Sequence, residues 1–229
     1  MGRKPSSPEY SDSFSQARSA ADFLPPTLTL PALKEAASDC KGCDLYKRAT
    51  QTVFGEGPKK TSVVFVGEQP GDQEDKMGRP FVGPAGGILR KALEEAGIPV
   101  TSVYVTNAVK HFKWEAQGNR RKHKKPLASE IAACRPWLIA ELKLTQPKIV
   151  VSLGLTAAQS LLGRPIRLSD ERGKFLMSGL GREVFITIHP SAVLRHPERQ
   201  QQKLEYARLV NDLALVQAKL SETERNPVS

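Results

Sequence analysis

Apolar positions along the chain cluster into four short runs, and segments with helical periodicity lie between and after them. The runs cover Thr61–Val66, Ser102–Thr106, Lys148–Leu153 and Glu183–Ile188. Their length and β-branched content are typical of buried strands. Helical spacing of apolar positions predicts helices over residues 86–96, 129–143 and 200–219. Strands that alternate with helices predict an α/β fold, with three α/β/α layers around a central four-stranded parallel sheet.

The composition predicts one domain with irregular ends. A chain of 229 residues is long enough for one substantial core, which we expect over residues 29–219. Residues 1–28 are rich in Ser, Pro and charge, which predicts a disordered leader, and residues 220–229 predict a flexible tail. The polar start lacks the apolar segment of a secretion signal, and no apolar run is long enough to span a membrane. We therefore expect a cytoplasmic protein without a membrane partner.

The positive charge is concentrated in one segment and favours nucleic acid as a partner. The chain has a formal net charge of +10, and such an excess favours polyanions. Seven Lys or Arg residues lie between Lys110 and Lys125, opposed only by Glu115, and Phe112 and Trp114 interleave with them. Such a segment can follow a phosphate backbone and stack on bases. A solvated, mobile loop is the alternative interpretation.

Polar side chains stand at the ends of three predicted strands. Glu68, Asn107 and His189 follow the first, second and fourth strand. Because ligands of open α/β sheets bind at the carboxyl ends of the strands, we expect these side chains to converge on one crevice. A glycine-rich loop over residues 78–87 carries Phe81 and can add an aromatic face and backbone N–H groups. A plain strand–helix turn with a solvated Glu68 is the alternative.

Three cysteines and one histidine form a candidate metal site. Cys40 and Cys43 make a Cys-x-x-Cys pair, and Cys134 stands alone. Three cysteines cannot close a disulfide framework, so the spacing favours thiolate ligation of a metal. His111 is a candidate fourth ligand. The spacing does not separate zinc from an iron–sulfur cluster, and three inert buried cysteines remain an alternative.

His123 lies inside the basic segment, between Arg121-Lys122 and Lys124-Lys125. Cationic neighbours lower the pKa of an imidazole, and a neutral imidazole can act as a nucleophile or base. One more polar residue in a basic loop is the alternative, and the residues alone favour it.

Five ordered motifs carry a resemblance to a known family. They are Gly67-Glu68-Gln69-Pro70-Gly71, Gly78-Arg79-Pro80-Phe81-Val82-Gly83-Pro84-Ala85-Gly86, Thr106-Asn107-Ala108-Val109-Lys110, Ala133-Cys134-Arg135-Pro136 and His189-Pro190-Ser191. Together they resemble the uracil-DNA glycosylase superfamily, most closely its iron–sulfur family-four branch and, within that branch, the UdgX type. The resemblance extends from about Cys40 to Leu213. Gln69, His111 and the Arg120-Arg121-Lys122-His123 insertion favour the UdgX type, which usually carries Ile at position 122 and Thr at position 124.

The resemblance implies excision of uracil from DNA, with single-stranded DNA favoured, by a monomer of uracil-DNA glycosylase-like fold. It implies that Phe81 stacks on the flipped base, that Asn107 binds its polar edge and that His189 binds O2. It also implies that His123 attacks C1′ of the deoxyribose and remains attached, while Glu68 stabilises the sugar cation. The resemblance further implies substrate-binding roles for Gln69, Gly71, Asp72, Arg121 and Ser191.

The resemblance also implies a 4Fe-4S cluster, with zinc as the alternative. Its ligands would be Cys40, Cys43, His111 and Cys134. Two other functions remain open at this point. One is a conventional family-four glycosylase that turns over many times, and the other is a non-catalytic nucleic-acid-binding module.

Overall fold

A computed structural model describes residues 18–225 of the chain. Residues 1–17 and 226–229, which make up most of the predicted leader and part of the predicted tail, lie outside the described residues. The strands are β1 (Val63–Gly67), β2 (Tyr104–Asn107), β3 (Trp114–Gln117), β4 (Arg120–His123), β5 (Ile149–Leu153), β6 (Phe175–Met177) and β7 (Glu183–Thr187). The α-helices are α1 (Leu30–Ser38), α2 (Asp72–Met77), α3 (Pro84–Glu95), α4 (Ala128–Thr145), α5 (Leu155–Leu162), α6 (Leu168–Glu171), α7 (Ser191–Arg195) and α8 (Arg199–Arg225).

The central sheet contains the four predicted parallel strands and one strand more. Its order is β2-β1-β5-β7-β6, with β6 antiparallel to β7. The mostly parallel α/β fold is confirmed, but the prediction of four strands is wrong because β6 adds an edge. The three residues of β6 are too few to show the alternation by which a sequence reveals a strand. Their pairing with β7 therefore depends on tertiary context.

Helices cover both faces of the sheet and make the predicted three layers. Alternate residues of β1 point to opposite faces, so Val63 and Phe65 pack on one side and Val64 and Val66 on the other. The first side is covered by α3 and α8 and the second by α4 and α5, through Leu89, Leu93, Leu209, Leu213, Leu138, Leu142, Ala158 and Leu161. Among the described helices, none has the length and apolar character needed to cross a bilayer.

Among the described residues, helical structure extends beyond the predicted domain at both ends. Residues 20–23 form a 3-10 helix whose first turn is capped by Ser19, and Ala20 is buried in one cluster with Trp137. At the other end α8 continues past the predicted boundary, since Leu220 packs with Val216 against the sheet. Phe23 and Leu24 pack against the same cluster as Ala20, and so few apolar contacts leave no periodic signal in the sequence.

The basic segment, predicted as a long loop, contains an antiparallel hairpin made of β3 and β4. Trp114 lies opposite His123 in its register. No residue of β4 is apolar, so the sequence gives no sign of a strand there. Backbone pairing with β3 and contacts with the domain determine its conformation, and the interpretation as an irregular loop is wrong.

Candidate active site

A cavity of about 760 Å³ lies at the carboxyl ends of the parallel strands. Glu68, Asn107 and His189 all line it, so the structure brings together the three polar side chains that follow β1, β2 and β7. Other predicted site residues line the same cavity, namely Gln69, Gly71, Asp72, Phe81, His123 and Ser191. Arg121 lies behind this surface, in contact with the Asp72 side chain.

Gly67 allows Phe81 and Asn107 to approach the end of β1 closely. A Cβ atom at Gly67 would lie 2.9 Å from the Phe81 ring and closer still to the Asn107 amide oxygen. Phe81 itself has a left-handed backbone, with φ of 54°, and the Arg90 guanidinium donates to its carbonyl at 2.9 Å. Backbone strain of this kind persists only where the surroundings impose it. The result is a buried aromatic ring beside a hydrogen-bonding amide.

His189 presents an N–H group to the cavity in a defined tautomer. The Ser191 backbone N–H donates to Nδ1 of His189 at 3.2 Å, and the Ser191 hydroxyl lies 2.8 Å from the same nitrogen. Nδ1 therefore accepts, and the neutral ring carries its proton on Nε2. Burial, with a smaller contribution from Arg195 and then His123, lowers the pKa of His189 to about 4. The side chain is thus a neutral hydrogen-bond donor at physiological pH.

The Glu68 carboxylate lies between a hydroxyl group and an imidazole. Its Oε2 accepts a short hydrogen bond from the Thr156 hydroxyl, and its Oε1 lies 3.4 Å from Nε2 of His123. Thr156 is in the first turn of α5, which follows β5 after Gly154. Gly154 has φ of 91°, and a Cβ atom at this position would lie only 3.2 Å from the Cβ of His189. The turn that holds Glu68 therefore also supports the His189 segment.

Gln69 joins the end of β1 to both ends of the hairpin. Its amide nitrogen donates to the carbonyls of Lys113 and Lys124, at 3.2 and 3.0 Å. Its amide oxygen accepts from the Lys113 backbone N–H at 3.1 Å. The side chain is buried, with 6% of the residue exposed. These three hydrogen bonds determine where His123, which precedes Lys124, stands relative to Glu68.

Arg121 fastens the middle of the hairpin to the start of α2. Its guanidinium contacts the Asp72 carboxylate and donates to Asp75 at 2.6 Å. It also lies over the rings of Phe112 and Trp114, at 5.4 and 5.5 Å from their centroids. Arg121 and His123 are two residues apart on β4, so their side chains share the face that meets the domain.

The two lysines that differ from the usual UdgX pattern face away from the cavity. Lys122 lies opposite Glu115 in the hairpin register, and the Lys124 ammonium contacts the Glu115 carboxylate at 3.0 Å. Both lysines are exposed, and neither lines the cavity. The structure therefore places His123 beside Glu68 with these lysines present.

Burial is the main influence on the acidity of His123. It lowers the pKa of this ring, whereas the Glu68 carboxylate opposes that shift and Arg195 adds a smaller decrease. The sequence predicted that the lysines and arginines of the basic segment would act in this way. In the structure the cation that contributes is Arg195, at the end of α7, whereas Arg121 of β4 is paired with Asp72 and Asp75.

Sequence analysis missed three residues that shape the site: Glu74, Asp75 and Thr156. Glu74 accepts the backbone N–H groups of Gly71 and Gly83, at 3.1 and 2.8 Å, and so holds the two glycine-rich loops together. Its position three residues after a helix N-cap is a recognisable capping signal. No comparable sequence signal marks Asp75 or Thr156, whose partners lie far away in the chain.

The three cysteines gather in one apolar cluster beside α4. Cys40 and Cys134 are buried, and Cys43 packs against them. The Trp137 indole N–H donates to Cys40 Sγ, and the Lys110 backbone N–H donates to Cys134 Sγ, both at 3.3 Å. Hydrogen bonds to sulfur are typical of ligating thiolates.

His111 is buried and directly follows Lys110, whose backbone N–H donates to Cys134 Sγ. One of its ring nitrogens, Nε2, is hydrogen-bonded to Thr52. The Thr52 hydroxyl donates to the Ala37 carbonyl at 2.8 Å, so its oxygen accepts a hydrogen bond from the His111 Nε2–H at 2.9 Å. Nδ1 therefore keeps a lone pair for a metal. Within residues 18–225, no three His, Cys, Asp or Glu side chains converge closely enough to hold a metal ion. The donors fit a thiolate-rich centre by chemistry, while a closed coordination shell is not formed.

Comparison with known proteins places the chain in a family. A profile of the uracil DNA glycosylase superfamily matches residues 54–214. The type-4 uracil-DNA glycosylase of Pyrobaculum aerophilum is 38% identical over 177 residues, which cover 74% of this chain and 87% of that protein. The enzyme of the same name from Thermotoga maritima is 37% identical over 173 residues, covering 75% and 86%. That from Sulfurisphaera tokodaii is 35% identical over 195 residues, covering 82% and 86%.

These matches run through the strands and loops that build the cavity. The profile includes Glu68, Phe81, Asn107, His123 and His189 within its limits. Since it covers more than half of the chain, and several relatives above 30% identity align over at least two thirds of it, this protein belongs to the uracil DNA glycosylase superfamily.

Proposed function

We propose that this protein excises uracil from DNA and then remains covalently attached to the abasic sugar through His123. The observation that carries the proposal is the position of His123, whose Nε2 lies 3.4 Å from Glu68 Oε1 at the rim of the cavity that Asn107 and His189 line. The relatives named as type-4 uracil-DNA glycosylases support the excision step. They carry no statement about attachment, which rests on the hairpin geometry and the sequence motif.

Base recognition would use the buried half of the cavity. Glycosylases extrude the target base from the helical stack before cleavage. The Phe81 ring, 8% exposed, offers a stacking surface, and the Asn107 amide offers both a donor and an acceptor. That pair matches the adjacent N3–H and O4 groups of uracil. In cytosine the same two positions have the opposite hydrogen-bonding pattern.

Cleavage would transfer the electrons of the C1′–N1 bond to the departing uracil. The His189 Nε2–H would donate to O2, where negative charge develops, and such preorganised donors act most strongly in a dry site. The uracil anion then takes up a proton from solvent. The sugar becomes an oxocarbenium ion, which the nearby Glu68 carboxylate stabilises.

Attachment would follow when the lone pair of His123 Nε2 bonds to C1′. The neutral ring in its Nδ1–H form has this lone pair, and the Nδ1 proton leaves to solvent after the bond forms. An oriented neighbouring group reaches effective concentrations of about 10⁵ M or more. Because Gln69 and Arg121 hold the hairpin in place, the imidazole would meet the cation before water does.

A conventional, multiple-turnover glycosylase is the second candidate function. It is favoured by the 38% identity to a protein named type-4 uracil-DNA glycosylase and by the half-exposed state of the His123 side chain. Water activated by Glu68 would then attack C1′, and His123 would only contact DNA.

Mass spectrometry after incubation with a uracil-containing single-stranded oligonucleotide distinguishes the two functions. The proposal predicts a protein mass increased by the oligonucleotide minus uracil, with the modification on His123 after digestion. The matched thymine oligonucleotide is the control. Free uracil in excess of protein, without any adduct, would select the conventional enzyme, and DNA binding without base loss would reject both.

The thiols and His111 are proposed to hold a 4Fe-4S cluster, with zinc as the alternative. Cys40, Cys43 and Cys134 supply soft sulfur donors and His111 supplies Nδ1. Such a centre would have a structural role, joining the segment before β1 to α4 and to the start of the basic segment. We expect purified protein to be brown, and Cys134→Ser to lower both its iron content and its melting temperature. Elemental analysis that finds zinc and no iron would select the zinc site over the cluster. The absence of both metals would reject the metal centre.

The attachment step is expected to lose half its rate only at a pH below the ordinary pKa of histidine. The nucleophile is the neutral form of His123, whose pKa is lowered from 6.5 by burial, so lowering the pH to 6.5 leaves it mostly unprotonated. His189, with a pKa of about 4, remains a neutral donor over the same range. Single-turnover adduct formation measured from about pH 8 to about pH 4.5 should reach half its maximal rate below pH 6.5. A half-maximal rate at or above that value would contradict the assignment of His123.

The lowered pKa values of His123 and His189 also make the stability of the protein depend on pH. In the unfolded chain these histidines take up protons near pH 6.5, whereas in the folded protein they do so only at lower pH. Between pH 6.5 and the lower pKa values of the folded protein, the unfolded state thus binds more protons than the folded state. The free energy of unfolding therefore falls as the pH decreases through this range. Thermal melts over the same pH series check this direction.

A further inference from the structure

A lysine and a glutamate are buried together directly behind the base-recognition residue. Lys110 follows β2, Glu141 lies on α4, and their side chains are 1% and 0% exposed. Neither side chain lines the cavity. Burying two charges costs solvation that their attraction often fails to recover, and apolar residues of similar volume are often as stable. The pair therefore calls for an explanation other than core packing.

The Lys110 ammonium uses its three N–H donors on three partners. It donates to Thr106 Oγ1 at 2.6 Å, to the backbone carbonyl of Asn107 at 2.8 Å and to the Glu141 carboxylate. Glu141 in turn accepts the Tyr104 hydroxyl at 2.9 Å and the Gly55 backbone N–H at 3.0 Å. The ammonium and carboxylate are thus fully satisfied, and the orientation of the Lys110 side chain is determined.

The chain that leaves Asn107 is also held from the other side. The Ala108 backbone N–H donates to the Gly67 carbonyl at 2.9 Å, and the Val109 N–H donates to the Glu68 carbonyl at 3.0 Å. The peptide group between Asn107 and Ala108 therefore has its oxygen on Lys110 and its N–H on the end of β1. Both bonds fix the plane of this peptide, and with it the direction of the Asn107 side chain.

We propose that Lys110, with Glu141 as its counter-charge, is a positioning residue for Asn107 in uracil recognition. The inference rests on the role given to Asn107 in the proposed function. The ammonium fixes the carbonyl of Asn107, so that the amide meets the base without a search among rotamers and backbone orientations. Placement errors near 1 Å cost about 10²-fold in rate, which is the reason for so stiff a support.

The alternative role of the pair is purely structural, as an anchor of α4 on β2. A neutral replacement of both residues separates the roles. In Lys110→Met with Glu141→Leu, the volumes stay similar and no charge is left unpaired, so an anchor alone would be replaced. We expect this double variant to fold with a lowered melting temperature, because the buried Tyr104 hydroxyl and Gly55 N–H lose their acceptor. Its reaction rate is therefore measured well below that temperature. We expect its single-turnover rate of uracil excision to fall by about 10- to 100-fold.

A double-mutant cycle with Asn107→Ala tests whether the loss acts through Asn107. If Lys110 and Glu141 act only by positioning the Asn107 side chain, their replacement has no further effect once that side chain is absent. The triple variant should then be about as slow as Asn107→Ala alone, and the two fold-losses should not multiply. Losses that multiply fully, or a Met/Leu variant with the wild-type rate, would overturn the inference. An Asn107→Ala protein that excises uracil at the wild-type rate would instead reject the role of Asn107 in the proposed function.

Two further measurements protect the test from indirect effects. Lys110 precedes His111 and contacts Cys134 through its backbone, so metal content is measured in every variant, and a loss of rate in step with lost metal would count against positioning. If the Met/Leu variant does not fold, Lys110→Met with Glu141→Gln takes its place. The Gln oxygen can still accept hydrogen bonds from the Tyr104 hydroxyl and the Gly55 N–H. The double-mutant cycle with Asn107→Ala is then measured with this Met/Gln variant.

Discussion

Replacing His123 with Ser is expected to abolish the covalent protein–DNA adduct while uracil excision continues. The loss of the adduct should be complete, because a serine hydroxyl at this position is shorter and far less nucleophilic than an imidazole. Glu68, Asn107 and His189 remain in place, so the C1′–N1 bond still breaks and water captures the sugar. Denaturing electrophoresis with a labelled uracil oligonucleotide, together with a count of released uracil, measures both results.

Lys122→Ile is the matched control for this experiment. It changes the neighbouring residue of β4, whose side chain is exposed and faces Glu115 across the hairpin. Because that face does not border the cavity, the adduct should form as in the wild-type protein. An adduct that persists in His123→Ser would refute attachment through this histidine.

Replacing Glu68 with Gln is expected to slow uracil excision and adduct formation together. The amide keeps the size of the side chain and can still accept the Thr156 hydroxyl, but it loses the negative charge beside C1′. Removing one group that stabilises transition-state charge costs about 10²- to 10³-fold in rate. Single-turnover kinetics with excess protein measure this loss, and the adduct should appear at the same reduced rate as base loss.

Thr156→Val provides the companion measurement. It removes the hydroxyl that donates to Glu68 Oε2 while leaving the carboxylate in place, so we expect a smaller decrease than in Glu68→Gln. If Glu68→Gln kept the wild-type rate of base loss, the carboxylate would have no role in cleavage. If it lost only the adduct, Glu68 would act on His123 alone.

The position of the cavity could be predicted from the sequence, because it follows from chain topology. Alternating strands and helices imply parallel strands, whose carboxyl ends share one edge. Glu68, Asn107 and His189 follow three such strands, and the structure brings them to that edge. Phe81 could also be included, since its glycine-rich loop follows β1. No long-range contact had to be known for these predictions.

The position of His123 could not be predicted in the same way. Its strand, β4, has no apolar residue, and the charged residues around it predict a solvated loop. Gln69 bonds to residues 44 and 55 positions further along the chain, and Arg121 bonds to Asp75, 46 positions earlier. Only the motif resemblance pointed to this histidine, and only the folded chain shows the ring beside Glu68.

The sequence by itself determined the α/β class, the convergence of three strand-end side chains on one crevice and the positive charge of residues 110–125. Those properties depend on local periodicity and on charge, which are determined by residues close together in the chain. Tertiary structure alone decided the fifth strand, the hairpin, and the support of Asn107 by Lys110 and Glu141. These features depend on hydrogen bonds and ion pairs between groups far apart in the chain, and their energies exist only once the core has brought those groups together.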